Sequence, residues 1–113
     1  MNIRFKSKKL QKEFNDDRLL QRAHGKKRAG LIRARMDDFL AADNLEDLSP
    51  LPPSRCHPLS GKLKGKFAVD LDHPYRLIFE PLHNPLPLKP DGGIDLSQIT
   101  NITIIEVKDY HGR

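Results

Sequence analysis

The sequence predicts an α+β fold in the order β-α-α-β-β-β, with helices covering one side of a sheet. Residues 19–40 place apolar side chains at three- and four-residue steps, the period of an amphipathic helix. Residues 67–80 and 99–107 are instead alternating or continuously apolar, as strands are. At 113 residues the chain has the length of one domain with its own core, so we expect a single domain over residues 1–113.

The N-terminal part of the chain is predicted to form one strand and two helices. Residues 3–6 alternate between apolar and basic side chains, which suits a short strand buried on one face. Ser7 is a suitable N-cap for the first helix, and Asp16 or Asp17 for the second. We expect Gly25 to bend or break the second helix. The apolar stripe of that helix comprises Leu19, Leu20, Ala23, Ala29, Ile32, Met36, Phe39 and Leu40.

The rest of the chain alternates between proline-rich connections and strands. Four prolines make residues 44–58 an ordered but irregular connection, because proline disfavours helix interiors and central strands. Residues 67–71 and 75–80 form a predicted hairpin around a turn at Pro74. Residues 81–98 are rich in proline and glycine and are predicted to protrude as an insertion. The apolar run in residues 99–107 then suits a central strand.

The charge of the chain is positive and unevenly distributed. The formal net charge is +5, with twelve basic and three acidic residues in 1–35 but one basic and five acidic in 36–60. Such a field favours polyanions or an acidic partner surface. Cys56 is the only cysteine, which excludes an intrachain disulfide and suits a reducing, cytoplasmic compartment. No apolar run approaches the length of a membrane span, so no membrane association is expected.

Candidate chemistry is confined to three polar clusters, because the sequence has neither a P-loop nor a dinucleotide-binding fingerprint. In the first cluster, two glycines flank Lys62 and Lys64 and permit a tight turn that holds two ammonium groups at one loop, as a phosphate site requires. The three clusters are RCHPLSGKLKG at 55–65, DHPYR at 72–76 and DYH at 109–111.

These clusters, together with DNLEDL at 43–48 and LIFEP at 77–81, resemble the HigB-type killer proteins of the RelE/ParE toxin superfamily. The resemblance extends over nearly the whole chain, and its specific parts are the hairpin segment and the Asp-Tyr-His ending. The chain departs from the family pattern at Pro58, where an acidic residue is typical, and at Leu63, where arginine is typical.

The resemblance implies the RelE-like fold, a curved and mostly antiparallel sheet with two N-terminal helices packed on one face. It also implies the toxin of a type II toxin–antitoxin system, a ribosome-dependent endoribonuclease that inhibits translation by cutting messenger RNA. In that reaction a ribose 2′-hydroxyl attacks the adjacent phosphodiester, with neither metal nor other cofactor. The implied partners are messenger RNA, the ribosome and a helix-turn-helix antitoxin of the HigA type, through which the complex would bind operator DNA indirectly.

The same resemblance implies a set of site residues. The reaction needs a base, an acid and cations for the charge that develops on the phosphate. His111 or Asp109 would transfer a proton with His57 as its counterpart, and Tyr110 would stack on a base. The implied catalytic residues are His57, Arg76, Asp109, Tyr110 and His111, and the implied phosphate-binding residues are Lys62, Lys64 and Arg76.

Each role has a purely structural alternative. His57 is also consistent with a residue that satisfies backbone groups of a proline-rich loop. Arg76 is consistent with an ion pair to Asp72 or Glu80 on the sheet face, and Asp109 with a cap at the end of the sheet. The loop lysines are consistent with ordinary solvated side chains.

Two other functions also fit the sequence. One is a non-catalytic basic module that binds nucleic acid or the ribosome, or a toxin scaffold whose chemistry has decayed. It differs from an enzyme in leaving transcripts whole. The other is a metal hydrolase, for which no pair of histidines has helix-face ligand spacing. Its candidate ligands are His57, His73, His83 and His111, although His73 is predicted to be a turn residue outside the site.

Overall fold

The computed structural model describes residues 1–109, which form two α-helices and one five-stranded sheet. The elements are β1 (Asn2–Phe5), α1 (Lys8–Asn15), α2 (Asp17–Ala41), β2 (His57–Pro58), β3 (Phe67–Asp70), β4 (Tyr75–Pro81) and β5 (Asn101–Asp109). Three 3₁₀ turns lie at Leu45–Asp47, Gly61–Leu63 and Leu96–Gln98. The predicted α+β order is confirmed, with β2 as an additional strand.

The strand order in the sheet is β1-β5-β4-β3-β2. β1 is parallel to β5, whereas the other three neighbouring pairs are antiparallel, so the sheet is mostly antiparallel as expected. β5 lies between β1 and β4, so it is an interior strand of the sheet, as predicted. The prolines of residues 44–58 did not prevent a two-residue strand there, because an edge strand tolerates the missing N–H of Pro58.

The helix boundaries follow the predicted local signals. The Ser7 side chain accepts a hydrogen bond from the Leu10 N–H at 3.1 Å, and Asp16 accepts one from the Arg18 N–H at 3.0 Å. Both contacts satisfy N–H groups that the first turn of a helix leaves without intrahelical partners. Gly25 interrupts α2 with φ of +82°, a conformation that glycine adopts without a Cβ clash. The predicted break at Gly25 is therefore confirmed.

The core lies between the helices and one face of the sheet. Phe39 of α2 packs edge-on against Phe79 of β4, with 4.9 Å between ring centroids. The prediction that Leu40 belongs to the buried stripe is wrong, because Leu40 is 63% exposed. Adjacent helix residues point about 100° apart, so Phe39 and Leu40 cannot both face the sheet. Other buried core residues include Leu20, Ile32, Phe67, Val69, Leu77, Ile99, Ile102 and Ile104.

A buried arginine ties α2 to the end of β3. Arg35 is 6% exposed, and its Nε donates a hydrogen bond to the Asp70 carbonyl at 2.8 Å. The same guanidinium donates to the Pro53 carbonyl at 3.4 Å, and the Asp70 N–H donates to the Ser54 carbonyl at 2.8 Å. These contacts fix the connection before β2 against the end of β3.

The predicted insertion lies between β4 and β5. An isolated bridge pairs Leu88 with Ile94, and Ile99 returns the chain to the core. Several of its leucines are exposed, namely Leu82, Leu86 and Leu88. Within residues 1–109, the helices are too short or too polar to cross a lipid bilayer.

Candidate active site

The two faces of the sheet differ in chemistry. Phe67, Val69, Leu77 and Phe79 contribute to the core under the helices, so the residues that alternate with them in β3 and β4 lie on the other side, here called the outer face. Cross-strand pairing extends this face from β2 to β5 through the rows His57–Ala68–Ile78–Glu106 and Asp70–Arg76–Lys108. Two of the predicted site residues, His57 and Arg76, therefore share the outer face.

The ring of His57 is held in one tautomer. Its Nδ1 lies 2.6 Å from the carbonyl oxygen of Arg55. A carbonyl can only accept, so Nδ1–H donates and Nε2 of the neutral ring is the acceptor. The structural alternative for His57 therefore holds for Nδ1, which satisfies the backbone carbonyl of Arg55. The other nitrogen keeps the lone pair that a general base requires.

Arg76 belongs to a cluster of two arginines around one carboxylate. Its Nε lies 3.3 Å from Oδ1 of Asp70, while Arg55 donates to the same carboxylate from Nε at 2.7 Å and Nη2 at 3.1 Å. The described ion-pair partner of Arg76 is thus Asp70, where the sequence suggested Asp72 or Glu80. Asp70 was not among the predicted site residues, because its sequence context is that of an ordinary polar residue in an alternating strand.

Arg55 has an unusual backbone conformation. Its φ is +45°, a left-handed conformation that costs a residue with a Cβ about 1–2 kcal/mol. The Arg55 N–H donates to the Leu51 carbonyl at 2.9 Å, and its own carbonyl accepts from His57. The hydrogen bond to Asp70 raises the pKa of the Arg55 guanidinium. Arg55 was not among the predicted site residues, although it stands two residues before His57 in the first polar cluster.

A cavity of about 230 Å³ opens beside this cluster. Two guanidiniums and one carboxylate contribute to its lining. His73 lies in the turn after β3, as predicted, and also lines the cavity. The lining residues are Arg55, Asp70, Leu71, His73, Pro74, Tyr75 and Arg76.

A second arginine–aspartate contact lies on the helix side of the same hairpin. Arg28 of α2 donates to Asp72 from Nε at 2.8 Å and Nη2 at 3.1 Å, and its guanidinium stacks 3.4 Å from the ring centroid of Tyr75. The hydrogen bond from Arg28 lowers the pKa of Asp72. Asp109 pairs with Tyr75 in the strand register, so alternation places Asp109 on this face and not with Arg76.

The two loop lysines lie away from the arginine cluster. Lys62 and Lys64 are exposed in the turn between β2 and β3, and flanking Gly61 and Gly65 have φ of +63° and +92°, which confirms the tight glycine turn. This turn precedes β3, whereas Asp70 ends it, so the lysines lie at the opposite end of the hairpin from Arg76. The remaining predicted residues, Tyr110 and His111, lie outside the described residues.

Several other candidate groups have structural roles. Burial raises the pKa of Cys56 to about 11, so its thiol stays protonated at neutral pH and is not a thiolate nucleophile. Nε2 of His83 accepts the Thr100 N–H at 3.0 Å, and His24 contacts Glu13 at 2.8 Å. In residues 1–109, no three His, Cys, Asp or Glu side chains are grouped so that they could hold a metal ion.

Comparison with known proteins identifies the family. The model of the HigB-like toxins, RelE-like toxins of the type II toxin–antitoxin system HigB, matches residues 3–86. Among solved structures, the YoeB-YefM complex from Staphylococcus aureus shares the fold with a TM-score of 0.55 at 15% identity, over 97% of each chain. A search of curated proteins gives no significant match. Because the family model covers most of the sequence, this chain belongs to the HigB-like toxins, RelE-like toxins of type II toxin–antitoxin systems.

Proposed function

We propose that this single-domain toxin is a ribosome-dependent endoribonuclease that cuts messenger RNA and thereby inhibits translation. The observation that carries the proposal is that two groups lie on the outer face of the sheet. One is the His57 imidazole, whose Nε2 is an acceptor, and the other is the cationic cluster around Arg76. Strand spacing puts the two Cα atoms roughly 12 Å apart, so both side chains can reach one phosphodiester. Membership of a toxin family supports the same activity.

The proposed reaction is transesterification within the RNA strand. Nε2 of His57 takes the proton of a ribose 2′-hydroxyl, whose oxygen then bonds to the adjacent phosphorus. The bond from phosphorus to the 5′-oxygen breaks, and His111 protonates that oxygen, since Asp109 lies on the helix side of the sheet. The products are a 2′,3′-cyclic phosphate and a 5′-hydroxyl. Arg76 stabilises the negative charge that develops on the phosphoryl oxygens, and Tyr110 stacks on a base.

The loop lysines have a separate role in this proposal. Lys62 and Lys64 lie at the end of the hairpin opposite Arg76. We therefore assign them to a phosphate further along the message, while Arg76 contacts the scissile one. Contacts to successive phosphates fix the register of a nucleic acid strand without reading its sequence.

The proposed partners follow from the proposed toxin function. We propose that a helix-turn-helix antitoxin of the HigA type silences the toxin, and that the complex binds operator DNA through the antitoxin. The excess of basic residues in 1–35 offers an acidic partner an electrostatic target. Because the proposed substrate is messenger RNA on the ribosome, we propose that the toxin acts in the cytoplasm.

The test is incubation of the purified protein with ribosomes and a translated message, followed by mapping of the cut ends. Wild-type protein should leave cyclic phosphate or 3′-phosphate ends, and chelation of zinc and manganese should not stop cleavage if ribosomal magnesium is maintained. His57→Ala should lower the rate by about 10²- to 10⁴-fold, as expected for loss of a general base. His24→Ala is the matched control. Bound but intact messages would favour the non-catalytic binding module instead.

A further inference from the structure

Arg55 and Asp70 form, with Arg76, an anion site on the outer face that extends the proposed active site. We infer that Arg55 is a second phosphate-binding guanidinium beside Arg76, and that Asp70 is a positioning residue that holds both arginines toward the same RNA phosphate. This inference rests on the proposed function for the identity of the ligand. The site itself rests on geometry.

The carboxylate of Asp70 is the shared anchor of the cluster. Its Oδ1 lies 3.1 Å from Nη2 of Arg55 and 3.3 Å from Nε of Arg76. Two guanidiniums repel each other, so a carboxylate between them is needed to hold both at one place. Asp70 is itself fixed, because its N–H donates to Ser54 and its carbonyl accepts from buried Arg35.

The arginine cluster retains capacity for an anion. Arg55 uses Nε and Nη2 on Asp70, and its Nη1 donates to no acceptor within residues 1–109. The Arg55 side chain is 39% exposed, so solvent and ligands can reach its guanidinium. Both guanidiniums are cationic, so the ligand that they favour is an anion such as a phosphodiester. Guanidinium edges match the spacing of phosphate oxygens, which makes a phosphate the favoured ligand.

Arg55 also connects this anion site to the proposed base. Its carbonyl fixes the tautomer of His57, while its side chain is bound to the carboxylate that contacts Arg76. A strained left-handed backbone persists only where the surroundings determine it, and here Leu51, His57 and Asp70 do so. One residue therefore sets both the orientation of the imidazole and one phosphate contact.

The first experiment measures binding without cleavage. A single-stranded RNA oligonucleotide with 2′-O-methyl sugars cannot be cut by 2′-hydroxyl attack, and its affinity is measured by fluorescence anisotropy over a range of KCl concentrations. Arg55→Gly removes the guanidinium while favouring the native positive φ. We expect it to weaken binding about tenfold and to make the negative slope of log K against log[KCl] shallower by about 0.7, which corresponds to the loss of one phosphate contact.

A control arginine tests whether the loss of any positive charge weakens RNA binding equally. Arg4 is exposed on β1, at the sheet edge opposite β2. Arg4→Gln should therefore leave the oligonucleotide affinity close to wild type. An Arg55→Gly variant with wild-type affinity and slope would overturn the inference. So would equal losses in the Arg4 and Arg55 variants, because they would indicate a diffuse charge effect.

The second experiment separates positioning from charge. Arg55→Lys and Asp70→Asn keep both cations but lose the two-nitrogen contact between Arg55 and the carboxylate. We expect an unchanged or steeper salt slope, with kcat for ribosome-bound message lowered about 10- to 100-fold by misplaced groups. Wild-type cleavage by both variants would overturn the positioning role of Asp70, whatever their melting temperatures. If the wild-type protein cuts no message, the proposed function fails, and the binding series still decides the anion site.

Discussion

The β3–β4 hairpin carries two arginine–aspartate contacts that use the same residue types differently. On the helix side, Arg28 and Asp72 form a one-to-one pair with two hydrogen bonds, beneath which lies the ring of Tyr75. On the outer face, Asp70 is shared by Arg55 and Arg76. The first contact pairs one cation with one anion, whereas the second sets two cations around one carboxylate.

The ratio of arginines to aspartates, one to one in the first contact and two to one in the second, distinguishes a structural contact from a binding site. A matched pair with an aromatic platform satisfies its own charges and fixes α2 to the hairpin. A carboxylate shared by two arginines orients both guanidiniums, and the Arg55 guanidinium stays accessible to a ligand. Residue identity alone does not distinguish the two, since each contact consists of arginine bound to an aspartate of the same hairpin.

The largest expected effect comes from breaking the outer cluster at Arg76. Arg76→Ala should lower single-turnover cleavage of ribosome-bound message by about 10²- to 10³-fold, because a preorganised charge donor is lost. The melting temperature should change little, since Arg76 is partly exposed at the end of the hairpin. Arg76→Lys retains the charge but not the fork and should recover only part of the rate. A fully active but destabilised Arg76→Ala protein would make Arg76 a structural residue like Arg28.

The helix-side pair should show the opposite pattern. Arg28→Met removes the guanidinium and leaves the partly buried Asp72 without its partner, which should reduce the free energy of unfolding by about 1–3 kcal/mol. Cleavage by the folded protein should remain near wild type. Urea unfolding measures the loss, with Lys27→Met as the exposed neighbouring control. Unchanged stability together with lost cleavage would reverse the assignment of the two contacts.

The smallest effect concerns the pH dependence of the helix-side pair. Because its folded-state pKa is lowered, chiefly by the hydrogen bond from Arg28, Asp72 stabilises the fold above its unfolded-state pKa of about 3.9. That contribution is lost as pH falls through the lower folded-state value. The stability difference between wild type and Asp72→Asn should therefore be constant from pH 5 to 7, on the order of one pair's energy, and shrink below about pH 4.

The measurement is urea unfolding of both proteins from pH 3 to pH 7. Asp37→Asn, which changes an exposed carboxylate of α2, is the matched control and should show no comparable trend. A difference between wild type and Asp72→Asn that grows toward acid pH would contradict the lowered pKa of Asp72.

The sequence by itself determined the local features of this protein. The caps at Ser7 and Asp16, the break at Gly25 and the hairpin at residues 67–80 depend on backbone preferences and contacts within a few residues. These local features can be predicted without knowledge of the tertiary packing. The polar clusters carrying His57 and Arg76 were also visible, since unusual residue types stood together in the chain.

Only the tertiary structure decided which of these residues meet. Arg28 and Asp72 are 44 positions apart, and their contact depends on where α2 crosses the hairpin. The burial of Arg35 and exposure of Leu40 depend on the same crossing. Likewise, register placed Asp109 opposite Tyr75. Contacts between residues far apart in the chain depend on how whole helices and strands pack. Local backbone preferences therefore cannot predict which residue pairs with a buried or shared charge.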